Sequence, residues 1–150
     1  VIAAAAMLRF FGTPVAVPHD IRSAMKKLFA EPAAPAIDEI VVLEHSAFAR
    51  LHGRVTATTR RRRIFLRGSG ADFFSNAQLV LHEYCHVLLQ WESGALTVPR
   101  YLRECLRRGY WENCYEVQAR TFASHHLQHF QALLSAPADR TCATRNNHEA

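Results

Sequence analysis

No stretch of this chain approaches 18 uninterrupted apolar residues, so no membrane-spanning helix is expected. The four cysteines (Cys85, Cys105, Cys114 and Cys142) include no CxxC pair, which weighs against a cysteine-built zinc site. Free thiols fit a reducing compartment, and a single disulfide stays open. Internal repeats are lacking. A charged n-region is also missing from the apolar, Ala-rich stretch Val1 to Leu8, so it is not read as a signal peptide. A trimmed signal segment, a pro-segment and a plain N-terminal helix all fit it, and a start at Val is what a fragment or a processed form would have. The compartment stays open between the cytoplasm and export by a non-classical route.

What is present is dominated by one segment. His82-Glu83-Tyr84-Cys85-His86 reads as HExxH. On a helix, residues four apart share a face, so both imidazoles reach one metal ion. Glu83 lies about 100° round from His82, close enough to face a metal-bound water. With 9 His and 9 Glu in 150 residues, composition alone yields such a match roughly 3 times in 100.

The flanks argue against coincidence. Ser75 and Gln78 form a capping-box start, Ser-x-x-Gln, directly before an apolar run. Around the wheel His82, Glu83, His86, Gln90 and Leu79 make one narrow face. Ala77, Val80, Leu81, Tyr84, Cys85, Val87, Leu88 and Trp91 cover nearly all the rest. Such a helix is buried, and Cys85 reads as a small core residue. The polar stripe therefore points into the protein or a cleft, where imidazoles and a carboxylate need a partner that zinc would supply.

A catalytic zinc ordinarily takes three protein ligands and a water. The extended HExxHxxGxxH motif is absent, because Leu89 and Glu92 stand where its Gly and third His belong. Trp111 to Leu134 has helical character, with an apolar stripe at Tyr115, Phe122, Phe130 and Leu133. Glu116 borders that stripe beside Ala119 and Ala123, small residues that let a second helix come close. Glu112, one turn earlier, is the rival, but near a helix start acidic residues are ordinarily dipole-stabilising. Glu116 is preferred.

The stretch from about Val41 to Ala123 resembles the zinc-peptidase domain associated with extracellular contractile injection systems, a short relative of the gluzincins. The pieces that carry this are Gly53-Arg54-Val55-Thr56-Ala57-Thr58-Thr59, then Arg63-Ile64-Phe65-Leu66, then Leu79 to Gln90, then Tyr115-Glu116-Val117-Gln118-Ala119-Arg120. HExxH is shared by many metallopeptidases, so the order of the pieces gives the specificity. Two positions depart from the pattern: Tyr84-Cys85 replaces a small apolar pair, and Gln118 stands where a second acidic residue is frequent. The resemblance implies a small zincin-like domain with His82, His86 and Glu116 as zinc ligands and Glu83 as catalytic base.

At 150 residues and 49% hydrophobic, the chain is expected to form one domain, 1–150, with its core at about 37–134. Asp20 to Phe29 reads as an amphipathic helix and Pro32 to Pro35 as a connector. Ile37 to Glu44 reads as a strand, Ser46 to His52 as a short helix, and Val55 to Thr59 and Arg63 to Arg67 as strands. Thr97 starts a helix with Pro99 in its first turn, and Gly109 stops it. The tail from Pro137 to Ala150 is polar and aperiodic, and fraying is expected there. This order predicts an α+β fold: a short sheet packed on a central HExxH helix, with further helices C-terminal to it.

Net charge is +5, with Arg60-Arg61-Arg62-Arg63 the densest run and Arg103, Arg107 and Arg108 on a later helix. The run reads as a hairpin turn whose charges blunt an exposed edge. A nucleic-acid surface is the weaker reading, because no aromatic platform accompanies it. Selection of acidic peptides is a third. His125, His126 and His129 read as packing or surface histidines beside Phe122 and Phe130.

The expected reaction is zinc-dependent hydrolysis of a peptide bond by a metal-activated water, with Glu83 taking the proton and passing it to the leaving amine. A protein or peptide substrate is the expected partner. It could add as a strand beside Ile64-Phe65-Leu66, if that strand is an edge. Tyr110, Arg120 and His126 are the candidates for steadying the oxyanion. A zinc-stabilised binding module, or a scaffold or effector component that cuts once, is the alternative.

Overall fold

The computed structural model describes residues 10–29, 34–53 and 55–136. Val1 to Leu8, the tail from Pro137 to Ala150, and with it Cys142, lie outside them. Helix α1 (His19–Leu28) buries Ile21, Ala24 and Met25, the i, i+3, i+4 set of an amphipathic helix. Asp20 in its first turn and Lys26 and Lys27 in its last complement the helix dipole.

The expected strand from Ile37 to Glu44 is corrected. Ala34–Asp38 forms a short helix, α2, which takes up the end of the expected connector, and only Val41–Glu44 is strand β2. Ile37 and Ile40 are both buried, and their i, i+3 spacing is that of a helical turn. Their β-branched character pulled the reading toward strand, and tertiary packing overrides such a weak preference.

The sheet has four strands in the order β1-β2-β4-β3, with β1 at Thr13–Val15, β3 at Ala57–Arg60 and β4 at Arg63–Leu66. β1 runs antiparallel to β2, β2 parallel to β4, and β3 antiparallel to β4. Strand β4 is therefore internal. The edge strands that could accept an extended chain are β1 and β3, not Ile64-Phe65-Leu66, and all three of those side chains are buried.

Helix α3 (Ala47–Leu51) opens on Ser46, whose hydroxyl accepts from the Ala49 N–H, the role a serine commonly takes before a helix. Next come α4 (Gly70–Ser75), α5 (Ala77–Cys85), a wider helical turn over His86–Trp91, α6 (Val98–Arg108) and α7 (Cys114–Ser135). Thr97 caps α6, and Gly109 ends it at φ 76°, a left-handed conformation that costs glycine little.

One face of the sheet, through Val42, Ala57, Ile64 and Leu66, packs on α1, α5 and α7 to make the main core. The other face carries a smaller cluster of Leu43, Phe65 and Ala49 with Phe11 and Phe48. The result is a mixed α+β structure in which α5 is covered by the sheet on one side and by α7 on another.

Candidate metal centre

Helix α5 begins one residue later than its apparent capping box. Asn76, not Ser75, is the cap: its side chain accepts from the Leu79 N–H at 3.0 Å, while the Ser75 hydroxyl bonds back to the Asp72 carbonyl within α4. Two helices meeting at Ser75–Asn76 left two capping residues side by side, and Asn is as good an N-cap as Ser.

Val80, Leu81, Tyr84, Cys85 and Val87 are fully buried. This leaves His82, Glu83, His86 and Gln90 as the face directed at the cleft and at α7. Asn113 caps α7 by accepting from the Tyr115 N–H, so helix begins in time to carry Glu116 in its first turn. Ala119 and Ala123, 0% and 1% exposed, let α7 approach α5 closely enough for a short carboxylate to reach the histidines.

The geometry that follows is tight. The Nε2 atoms of His82 and His86 lie 3.1 Å apart. Glu116 Oε2 is 3.3 Å from the first and Glu116 Oε1 3.6 Å from the second. Glu112 is exposed in the turn before Asn113 and takes no part. Among the described residues, His82, His86 and Glu116 are the group of His, Cys, Asp or Glu side chains placed to hold one metal ion.

The His86 tautomer follows from Gln90. The Gln90 amide nitrogen donates to the Tyr115 carbonyl and to Gln118 Oε1, both at 2.9 Å. Its oxygen therefore faces His86 Nδ1, at 2.7 Å, and an amide oxygen can only accept. The proton sits on Nδ1, and Nε2 is the atom turned toward His82 and Glu116. Gln118 closes this network.

Two buried carboxylate oxygens, Glu83 Oε2 and Glu116 Oε2, have no hydrogen-bond partner, a costly state for a charged group. Burial pushes the Glu83 carboxyl up, and His86 and His82 only partly offset this. Burial also works to raise Glu116, but the adjoining His82 and His86 imidazoles and the Tyr101 hydroxyl overcome it and hold that carboxyl well below the usual range. His86 is pushed toward its charged form by Glu116 and Glu83 despite its own burial. The cluster attracts positive charge. Two imidazoles and a carboxylate around an open position form the donor set of a catalytic divalent-metal site, so these residues fit such an ion.

Tyr101, absent from the sequence reading, donates its hydroxyl proton to Glu116 Oε1 at 2.8 Å. It lies on the apolar arc of α6 with Val98 and Cys105, and that arc was the available signal. Burial, then the neighbouring Glu116, pushes its pKa up, so the hydroxyl remains a donor.

Trp91 is placed by the wide turn after α5. The Glu92 N–H bonds to the Val87 carbonyl, five residues back, at 3.1 Å. Such a turn advances about 80° per residue rather than 100°. Five residues after His86, the chain has thus turned to within roughly 40° of its face, where an α-helix would have carried it to about 140°. Trp91 consequently lines the cleft and donates to Thr59 Oγ1 at 3.3 Å.

The cleft has a volume of about 400 Å³, with Glu83 and the three metal-site residues in its floor and Thr58, Trp91, Leu96 and Leu102 among its walls. Of the three oxyanion candidates, Tyr110 lines it. Arg120 instead bonds to the Trp111 carbonyl and stacks over the Trp111 ring. His126 stacks on Phe122 at 4.1 Å, as a packing histidine would.

Compared with protein families, curated proteins and solved structures, the chain matches none. Among the described residues, no helix is long and apolar enough to cross a membrane.

Proposed function

We propose that this chain is a zinc-dependent metallopeptidase of zincin-like build, cutting a protein or peptide substrate in the cleft above α5. The observation that carries this reading is the convergence of His82, His86 and Glu116 on one point, with the partnerless Glu83 carboxylate in the same cleft floor. Zinc held there supplies a Lewis acid that polarises a carbonyl and acidifies a water. His86 is fixed in orientation by Gln90 and Glu116 by Tyr101. Glu83, raised by burial, is suited to take a proton from the attacking water and return it to the leaving amine. Tyr110 keeps its proton, because burial raises its pKa, and it can donate to the carbonyl oxygen of the bond being cut. A cleft walled by Trp91, Leu96 and Leu102 favours an apolar residue next to that bond.

The test separates metal from chemistry. Wild type and Glu83→Gln should each bind about one zinc per chain, whereas His82→Ala, His86→Ala and Glu116→Ala should lose it and Glu112→Ala should keep it. Peptidase activity on a denatured-protein substrate should fall on the order of 10²-fold or more in Glu83→Gln. Zinc retained by Glu116→Ala but lost by Glu112→Ala would reverse the ligand assignment. Stoichiometric zinc with no cleavage of a broad peptide library would leave a zinc-stabilised binding module.

A further inference from the structure

The cleft does not end at its apolar walls. Arg60, in its rim, also borders an open trough of about 1000 Å³ that runs past the β3–β4 turn, lined by Arg61, Arg62, Arg63 and the ring of Phe48. The trough contains two carboxylates, Glu39 and Glu92, and both are paired with the single guanidinium of Arg62. Arg60, Arg61 and Arg63 are exposed and make no side-chain hydrogen bond or ion pair with any described residue.

A turn that had only to stay soluble would not be built this way. Arg60 and Arg63 are direct cross-strand partners, and like charges placed opposite each other destabilise a hairpin. Arg61 sits at φ 54°, where Asn or Gly is the low-cost choice in a two-residue turn. The repulsion between the Arg60 and Arg63 guanidiniums is relieved by an anion lying across the turn.

We propose that this trough binds an acidic stretch of a polypeptide whose adjoining segment occupies the cleft. The proposal rests on the peptidase reading only for what happens next to the trough; the binding itself needs no turnover. A single-stranded nucleic acid fits less well. Phe11, Phe48 and Phe65 pack on one another with centroids 4.8 to 5.8 Å apart, so they form a cluster instead of the free ring faces on which bases stack.

The experiment measures binding of fluorescein-labelled hexaglutamate by anisotropy to the full chain carrying Glu83→Gln, which excludes cleavage from the signal. A variant with Arg60→Gln, Arg61→Gly and Arg63→Gln removes three charges and relaxes the turn, so its thermal midpoint should not fall. A second variant, with Arg103, Arg107 and Arg108 all changed to Ala, removes three charges from α6. The turn variant should bind at least tenfold more weakly, the α6 variant within about twofold of the parent, and the parent's affinity should fall as salt rises. Equal losses in the two variants would reduce the effect to net charge and overturn the proposal. Labelled oligothymidine bound more tightly than hexaglutamate would overturn it in favour of nucleic acid. If hexaglutamate binding behaves as expected while wild type cuts nothing, the trough stands and the peptidase reading fails.

Discussion

Helices α5 and α6 border the same cleft and are held there by opposite means. In α5 and the turn that follows, Val80, Leu81, Tyr84, Cys85 and Val87 are all 0% exposed. In α6 no residue is buried, and Leu106 stands 89% exposed. The first helix owes its position to apolar contact on nearly every side. The second is closed by its own ends, where Thr97 accepts from the Arg100 N–H at 3.4 Å and the Gly109 N–H donates to the Cys105 carbonyl, and is held in place by polar ties from Tyr101 to Glu116 and from the Asn113 amide to the Tyr101 carbonyl and Cys105. The two histidines of the candidate metal centre sit on the packed helix, and the facing wall of the cleft is the lightly attached one. Sites on rigid elements with mobile margins follow the same division.

That contrast can be broken from either side. Leu81→Ala should produce the largest effect, about 2–5 kcal/mol of lost stability, since α5 cannot collapse into the space left behind. A urea melt reads it directly, and a loss below 1 kcal/mol would mean that α5 is not the rigid partner. Thr97→Ala should cost about 1 kcal/mol in the same measurement, the value of a lost N-cap. It should also raise amide exchange across α6 while leaving α5 protected. Equal deprotection of both helices would show that they open as one unit. The smallest change belongs to Leu106→Gln, within about 0.5 kcal/mol of wild type in either direction, because an exposed side chain gives up little. A larger loss would reveal that α6 buries that residue in solution.

Much of the site could be read from the residues alone, because its signals are local or periodic. The His pair needs only helical spacing, the burial of α5 only its nearly continuous apolar wheel, and Glu116 only the neighbouring Ala119 and Ala123. The start at Thr97 and the stop at Gly109 were legible for the same reason. The edge position of β3, by contrast, is a property of strand order, which no single segment carries. The helix at Ala34–Asp38 was hidden by β-branched isoleucines that packing overrides. Asn76 was hidden by an equally good cap one residue earlier. Tyr101 reaches Glu116 through the fold of α6 against α7, and its sequence position says nothing of that distance.

The wide turn at His86–Trp91 has a consequence for chain length. Its geometry takes up one residue more than an α-helix would use to bring Trp91 to the same side as His86. Leu89, 36% exposed, is the residue whose removal would let the segment relax to ordinary pitch. The spacing from His86 to the Gln90 carbonyl that receives the Leu96 N–H at 2.9 Å would then shorten by one. Trp91 would then stand four residues after His86, again about 40° from its face, so the loss of that residue is absorbed by the turn itself. One residue can thus be lost here without turning Trp91 away from His86, whereas a residue lost between His82 and His86 would swing one imidazole about 100° from the other.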